Sequence, residues 1–110
     1  MDSILTSVKK FVGIEAEHKH FDPEIIMDIN SVFGDLAQIG VGPSAGFSIE
    51  DDSALWSDFI PDIAKLEAVK TYVGLRVRLL FDPPTNSSVL EAMKQQADKW
   101  EWRLNVAADT

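Results

Sequence analysis

The sequence predicts an all-α fold, a small bundle of about four helices with a long loop between the second and third. Three observations predict it. Apolar residues recur at spacings of three and four in four separate segments, the period of an amphipathic helix. Glycine- and proline-bearing stretches separate those segments. Composition is that of an ordinary globular chain, 45% hydrophobic and 25% charged over 110 residues. That length fits one domain, and such a chain buries about 60–70% of its unfolded surface, enough for one core. The expected organisation is a single helical domain over residues 1–105 and a flexible C-terminal tail over 106–110, where no apolar pattern continues.

The first helix is expected from about Ser3 to Val12. Ile4, Val8, Phe11 and Val12 share a face with Leu5 beside them, Ser3 can cap the start, and Gly13 can end it through a left-handed residue. Residues 14–21 read as a polar connection. Asp22-Pro23 opens the second helix, with Asp22 as the expected N-cap, Pro23 suited to the first turn and Glu24 complementing the positive helix end. Its stripe is Ile25, Ile29, Val32 and Leu36, widened by Ile26 and Phe33, and Gly40 is the expected terminator. Residues 40–53 form a loop of about a dozen residues, a length at which irregular segments are often functional. Within it Phe47-Ser48-Ile49 alternates like a very short strand. Asp52 or Ser53 could cap a short helical turn through Trp56 and Phe59.

The third main helix is expected from Pro61 or Asp62 to Phe81. Ile63, Leu66, Val69, Val73, Val77 and Leu80 make one stripe, and Tyr72, Leu75 and Leu79 make a second. A helix apolar over so much of its circumference is either central or covered on one side by a neighbouring subunit. Asp82-Pro83-Pro84 stops it, because proline has no amide proton and crowds the preceding turn. The fourth helix is expected to start at Ser87 or Ser88, with Ser88 and Glu91 as a capping box. Val89, Met93, Trp100 and Leu104 lie on one face with Ala97 between them.

Charge and composition exclude several classes. Ten basic against eighteen acidic residues give a net charge of −8, opposite in sign to the basic footprint that phosphate binding needs. The acidity is uneven. Residues 1–62 hold 12 acids and 3 bases, whereas residues 63–110 hold 6 acids and 7 bases. With no cysteine, disulfides, thiol catalysis, zinc fingers and iron–sulfur clusters all drop out. The start, Met1-Asp2-Ser3, has no basic n-region or long apolar run, so no signal peptide is expected. No apolar stretch approaches the roughly 18 residues of a membrane span.

Candidate chemistry is sparse. Glu15, Glu17, His18, His20 and Asp22 are metal-ligand types within eight residues, but their spacing matches no metal-site pattern and a polar linker explains them. Glu50-Asp51-Asp52 lacks the alternating acids, central glycine and distal glutamate of a calcium loop, and reads as an acidic loop with helix-capping residues. Gly40, Gly42 and Gly46 are followed by no lysine–serine pair, so no phosphate loop is present. The two histidines sit in the linker, away from any nucleophile–base partner, so no metal, no cofactor and no enzymatic activity are expected. Trp100 and Trp102, two apart on a helix, point to different faces, so one can join the core and the other must meet something else. Arg76 and Arg78, on an apolar helix, either reach water or pair across a subunit boundary.

Taken in order, several segments resemble the small head–tail connector (adaptor, head-completion) proteins of tailed bacteriophages. They are Ser3–Lys10 ending at Gly13-Ile14, then Phe21-Asp22-Pro23-Glu24-Ile25, then Gly40-Val41-Gly42-Pro43 with Gly46-Phe47-Ser48-Ile49. Val69–Val73 leading into Arg76–Pro84, and Trp100-Glu101-Trp102-Arg103-Leu104-Asn105, complete the series. The similarity covers nearly the whole chain and is most specific over Lys70–Pro84 and Glu101–Leu104.

The resemblance implies a structural virion protein. Such a protein forms a homo-oligomeric ring under the portal vertex, extends the DNA channel and joins head to tail. The implied partners are the phage portal protein, a downstream connector or tail protein, and copies of itself. DNA would pass through without specific binding, no membrane is involved, and the location is the virion, after assembly in the host cytoplasm. On this reading Trp100, Trp102, Arg103 and Leu104 are expected to dock the portal. Phe47, Trp56, Arg76 and Arg78 are expected at subunit interfaces, and Glu50, Asp51 and Asp52 on an acidic channel or surface. Two other classes compete. An acidic helical module mimicking DNA charge would lose its basic partner steeply in salt. A small helix-turn-helix regulator would need a basic recognition face that no helix here carries.

Overall fold

The computed structural model describes residues 3–108. It contains α1 (Ile4–Phe11), α2 (Asp22–Gln38), the four-residue α3 (Trp56–Phe59), α4 (Ile63–Phe81) and α5 (Ser87–Ala108). The all-α expectation holds. Among the described residues the only extended pairing is an isolated antiparallel bridge between Ser3 and Leu55. The strand expected at Phe47–Ile49 is absent. Ile49 is held instead by a side chain: Asn30 Nδ2 donates to Ile49 O (3.0 Å) and Ile49 N donates to Asn30 Oδ1 (2.7 Å). One amide thus supplies both bonds that a neighbouring strand would have supplied.

The helix starts follow local hydrogen-bond chemistry. Ser3 Oγ accepts from Thr6 N and is the N-cap as expected, and Asp62 Oδ1 accepts from Ala64 N and caps α4. Two other assignments change. Asp22 lies inside the first turn of α2, and the residue at the cap position, Phe21, makes no side-chain cap bond. The Asp22 carboxylate turns to Lys9 instead, at 2.8 Å. At α5 the Ser88–Glu91 box gives way to Asn86, whose Oδ1 accepts from Ser88 N (2.9 Å) and Val89 N (3.1 Å). Asparagine two residues upstream starts the helix earlier and satisfies amides that precede those the box would have reached.

The stop of α2 uses Gly40, at φ +84°, with Val41 N donating to Leu36 O and Gly40 N to Ala37 O. α5 does not end near residue 105. It continues to Ala108, which packs against the core beside Gly40. The flexible tail expected over 106–110 is therefore helical for its first three residues, and Asp109 and Thr110 lie outside the described residues.

α4 is the central element and touches α1, α2 and α5. Val69, Tyr72, Val73 and Val77 of α4 are fully buried among Ile25, Ile29, Val32 and Leu36 of α2 and Ile4, Leu5 and Val8 of α1. The long loop is tied down by aromatic packing. Phe33 stacks on Phe59 at 4.4 Å between centroids, and Phe47 meets both edge-on at 5.4 and 5.3 Å. Gly42, at φ +91°, is required here twice over, because a Cβ would lie 2.5 Å from the Phe59 ring. The first helix is fastened to the same region by Ile4 N donating to Ala54 O and by the Trp56 indole donating to Ser7 Oγ (2.7 Å).

Candidate interaction surfaces

The structure divides the residues expected at interfaces into inward and outward groups. Trp56 is 2% exposed because it packs within the chain, its indole edge-on to Phe33 and donating to Ser7 Oγ, and the surface it keeps lines a pocket with Phe11 and Gly74. Phe47 is half-buried against Phe33 and Phe59 for the same reason. Arg76 is occupied by α5: its Nη2 donates to Asp98 Oδ1 (2.9 Å) and Glu101 Oε1 (3.4 Å), and its Nε donates to Tyr72 Oη (3.1 Å). Tyr72 Oη in turn donates to Glu101 Oε1 at 2.8 Å. Burial raises the Tyr72 hydroxyl to about 12, the Arg76 hydrogen bond opposes that rise, and the Glu101 hydrogen bond adds to it. This network clamps α5 to α4. Arg78 Nε donates to Asp82 O and closes the end of α4.

On α5 the two tryptophans separate as their spacing requires. Trp100 is half-buried against the core with the Arg103 guanidinium 5.2 Å from its ring centroid. Leu104 is buried, which removes it and most of Trp100 from any docking surface. Trp102 is 66% exposed, and Val106, one turn on, is 45% exposed. With Lys99 they form a stripe that points about 150° away from Ala97 and Leu104 at 100° per residue. Val106 was not singled out by the sequence pattern, because the helix was not expected to reach it.

The acidic residues form exposed surfaces. Glu50, Asp51 and Asp52 are all exposed. Asp51 Oδ1 accepts from Ser53 N and Oγ, which lowers the Asp51 carboxyl below the usual carboxylate range. On α2, Asp28 is raised by partial burial and then by the neighbouring Glu24. His18 and His20 lie 6.4 Å apart between ring centroids and lean on Phe21, which meets Phe81 edge-on at 5.3 Å. Asp22, the other ligand type in that segment, is spent on Lys9. No group of three or more His, Asp or Glu side chains among the described residues converges as a metal site.

One concave feature was not visible in the pattern. Val8 and Phe11 of α1, Trp56 of α3, and Glu67, Thr71 and Gly74 of α4 line a pocket of about 180 Å³. Phe11, 46% exposed, lies across Gly74, where a Cβ would be 2.7 Å from its ring. Among the described residues no helix is long and apolar enough to cross a membrane.

Comparison with curated proteins gives no match, and comparison with solved structures gives none. The family model described as phage connector protein matches residues 4–110, which takes in all five helices and the loop between α2 and α3. A compact helical chain, with its polar network spent on joining helices and a tryptophan left facing outward, is built as a structural part, and it belongs to the phage connector protein family.

Proposed function

We propose that this chain forms a ring beneath the portal vertex of a tailed phage, extends the DNA channel, and joins the head to the next connector or tail protein. It acts as a virion part and not as an enzyme. Family membership over residues 4–110 is the observation that carries the reading. The exposed acidic residues are consistent with it. Glu24, Glu50, Asp51 and Asp52 give the first half of the chain a surface that repels DNA phosphates, so DNA can pass without adhering.

Docking to the portal falls to the C-terminal end of α5. Of the residues expected there, Leu104 and part of Trp100 serve the core, so the exposed Trp102 and Arg103, with Val106 beside them, are the part that faces a partner. Sedimentation of the chain alone and mixed with the portal protein of the same phage tests the reading. The expected result is a stoichiometric complex of ring size. A chain that remains separate from both isolated portal and DNA-filled heads refutes it. Truncation after Trp102 should abolish the complex while leaving α1 to α4 folded. A truncated chain that still co-sediments with portal removes the docking assignment.

A further inference from the structure

We propose that copies of this chain associate head to tail, with Trp102 of one copy seated in the Phe11–Gly74 pocket of the next. The inference rests on the ring reading and supplies the contact between neighbours: Trp56 lines the receiving pocket, while Phe47, Arg76 and Arg78 are engaged within the chain. It also assigns Trp102 to the neighbouring copy and leaves the portal to Arg103 and beyond.

Four observations carry it. The first is size: the pocket holds about 180 Å³, and an apolar cavity of about 150 Å³ already admits a benzene ring. The second is placement. Glu67, Thr71 and Gly74 face one side of α4, while Tyr72 and Arg76, which bind Glu101 and Asp98 of α5, face a direction about 150° round the helix. Trp102 points away from α4 on α5. Knob and pocket therefore lie on opposite sides of the molecule, as a heterologous contact that can repeat into a ring requires. The third is unfinished burial at both ends. Trp102 is 66% exposed and Phe11 46% exposed, and seating the indole beside the Phe11 ring removes both from water. The fourth is charge. Glu67 lines the pocket together with Lys70, and Lys99 precedes Trp102 by one helical turn, so docking that sets Lys99 on the Glu67 side brings opposite charges together.

The chain has no cysteine, so introduced ones report without background. The test uses the full chain carrying both E67C and K99C, treated with a bis-maleimide, alone and bound to portal. The expected result is a ladder of covalent dimers, trimers and higher multimers on a denaturing gel. Adding W102A to the same chain should reduce the ladder at least tenfold. T71F, which fills the pocket from the receiving side, should do the same, with circular dichroism confirming that it is folded. A ladder unaffected by W102A overturns the proposal. Dimers formed by K99C alone show a symmetric contact between α5 helices and also overturn it. No cross-linking in either state overturns it as well. Co-sedimentation of the unmodified chain with portal decides the connector reading separately, so the failure of one is not mistaken for the failure of the other.

Discussion

Replacing Lys9 by methionine is the most demanding perturbation of this fold. The Lys9 side chain is 2% exposed, and its ammonium sits 2.8 Å from Asp22 Oδ1 and donates to Ala16 O at 3.0 Å. Asp22 Oδ1 is itself buried and has no well-angled hydrogen bond, so attraction to Lys9 is its compensation. K9M fits the volume but leaves a carboxylate and a carbonyl without that partner. Removing one member of a buried pair costs about 3–5 kcal/mol. The Asp22 side chain keeps 17% exposure, which places the expected loss near the lower end, at about 3 kcal/mol. With a urea dependence of about 1.5 kcal/mol per molar for a chain of this size, the unfolding midpoint should fall by about 2 M. The assay is urea unfolding followed by helical circular dichroism, with K9M, D22L and K9M/D22L measured together. The double variant should lie within about 1.5 kcal/mol of the parent, because an apolar pair of similar volume replaces the ions at little net cost. If K9M shifts stability by less than about 0.5 kcal/mol, or if the two single losses simply add, the pair is not the clasp between α1 and α2 described here.

Three further outcomes are expected. G42A should destabilise by about 2–4 kcal/mol in thermal or urea unfolding, because its φ of +91° strains any side chain and its Cβ would press the Phe59 ring; an unchanged midpoint contradicts this packing. N30A should cost about 2–3 kcal/mol and speed amide exchange at Ile49, whose N–H and C=O both lose their partner. Tyr72 predicts an alkaline effect. Its folded pKa of about 12 lies above the usual 10, so the unfolded chain gives up that proton first. The contribution is complete below pH 10 and is lost as pH rises through 12. Y72F should remove that step from the stability–pH curve.

Element type was legible because periodicity is a local property of each segment. The choice among adjacent polar residues was not. Asp22 has the chemistry of an N-cap, but Lys9 offers it a full charge from a helix away, and that partner is not marked in the local pattern. Asn86 and Ser88 are both competent caps, and only the path of the chain after Pro84 decides which one reaches the free amides. Trp56 shows the same limit for the site. A tryptophan in a glycine-rich loop reads equally as an interface anchor or as a lid on the core, and the deciding partners, Ser7 and Phe33, are 49 and 23 residues away. That only one of Trp100 and Trp102 joins the core could be read, because the two stand two residues apart on the same helix. The pocket at Gly74 was hidden because it is made by three elements and by an absent side chain.

The fastening of α1 has a consequence for synthesis. A ribosome releases α1 before α2 to α5, yet besides its Lys9–Asp22 clasp to α2 its anchors are Ala54, Trp56 and Gly74. The eight residues of α1 are too few to persist as a helix by themselves. α2 can cover part of the apolar face of α1 early, but the side that meets Trp56 and Gly74 must wait until much of α4 has left the exit tunnel. α4 and α5, joined by only five residues, can pair at once when they appear. α1 is thus made before its neighbours but fully fixed only after α4, and the Phe11–Gly74 pocket does not exist until α4 has been made.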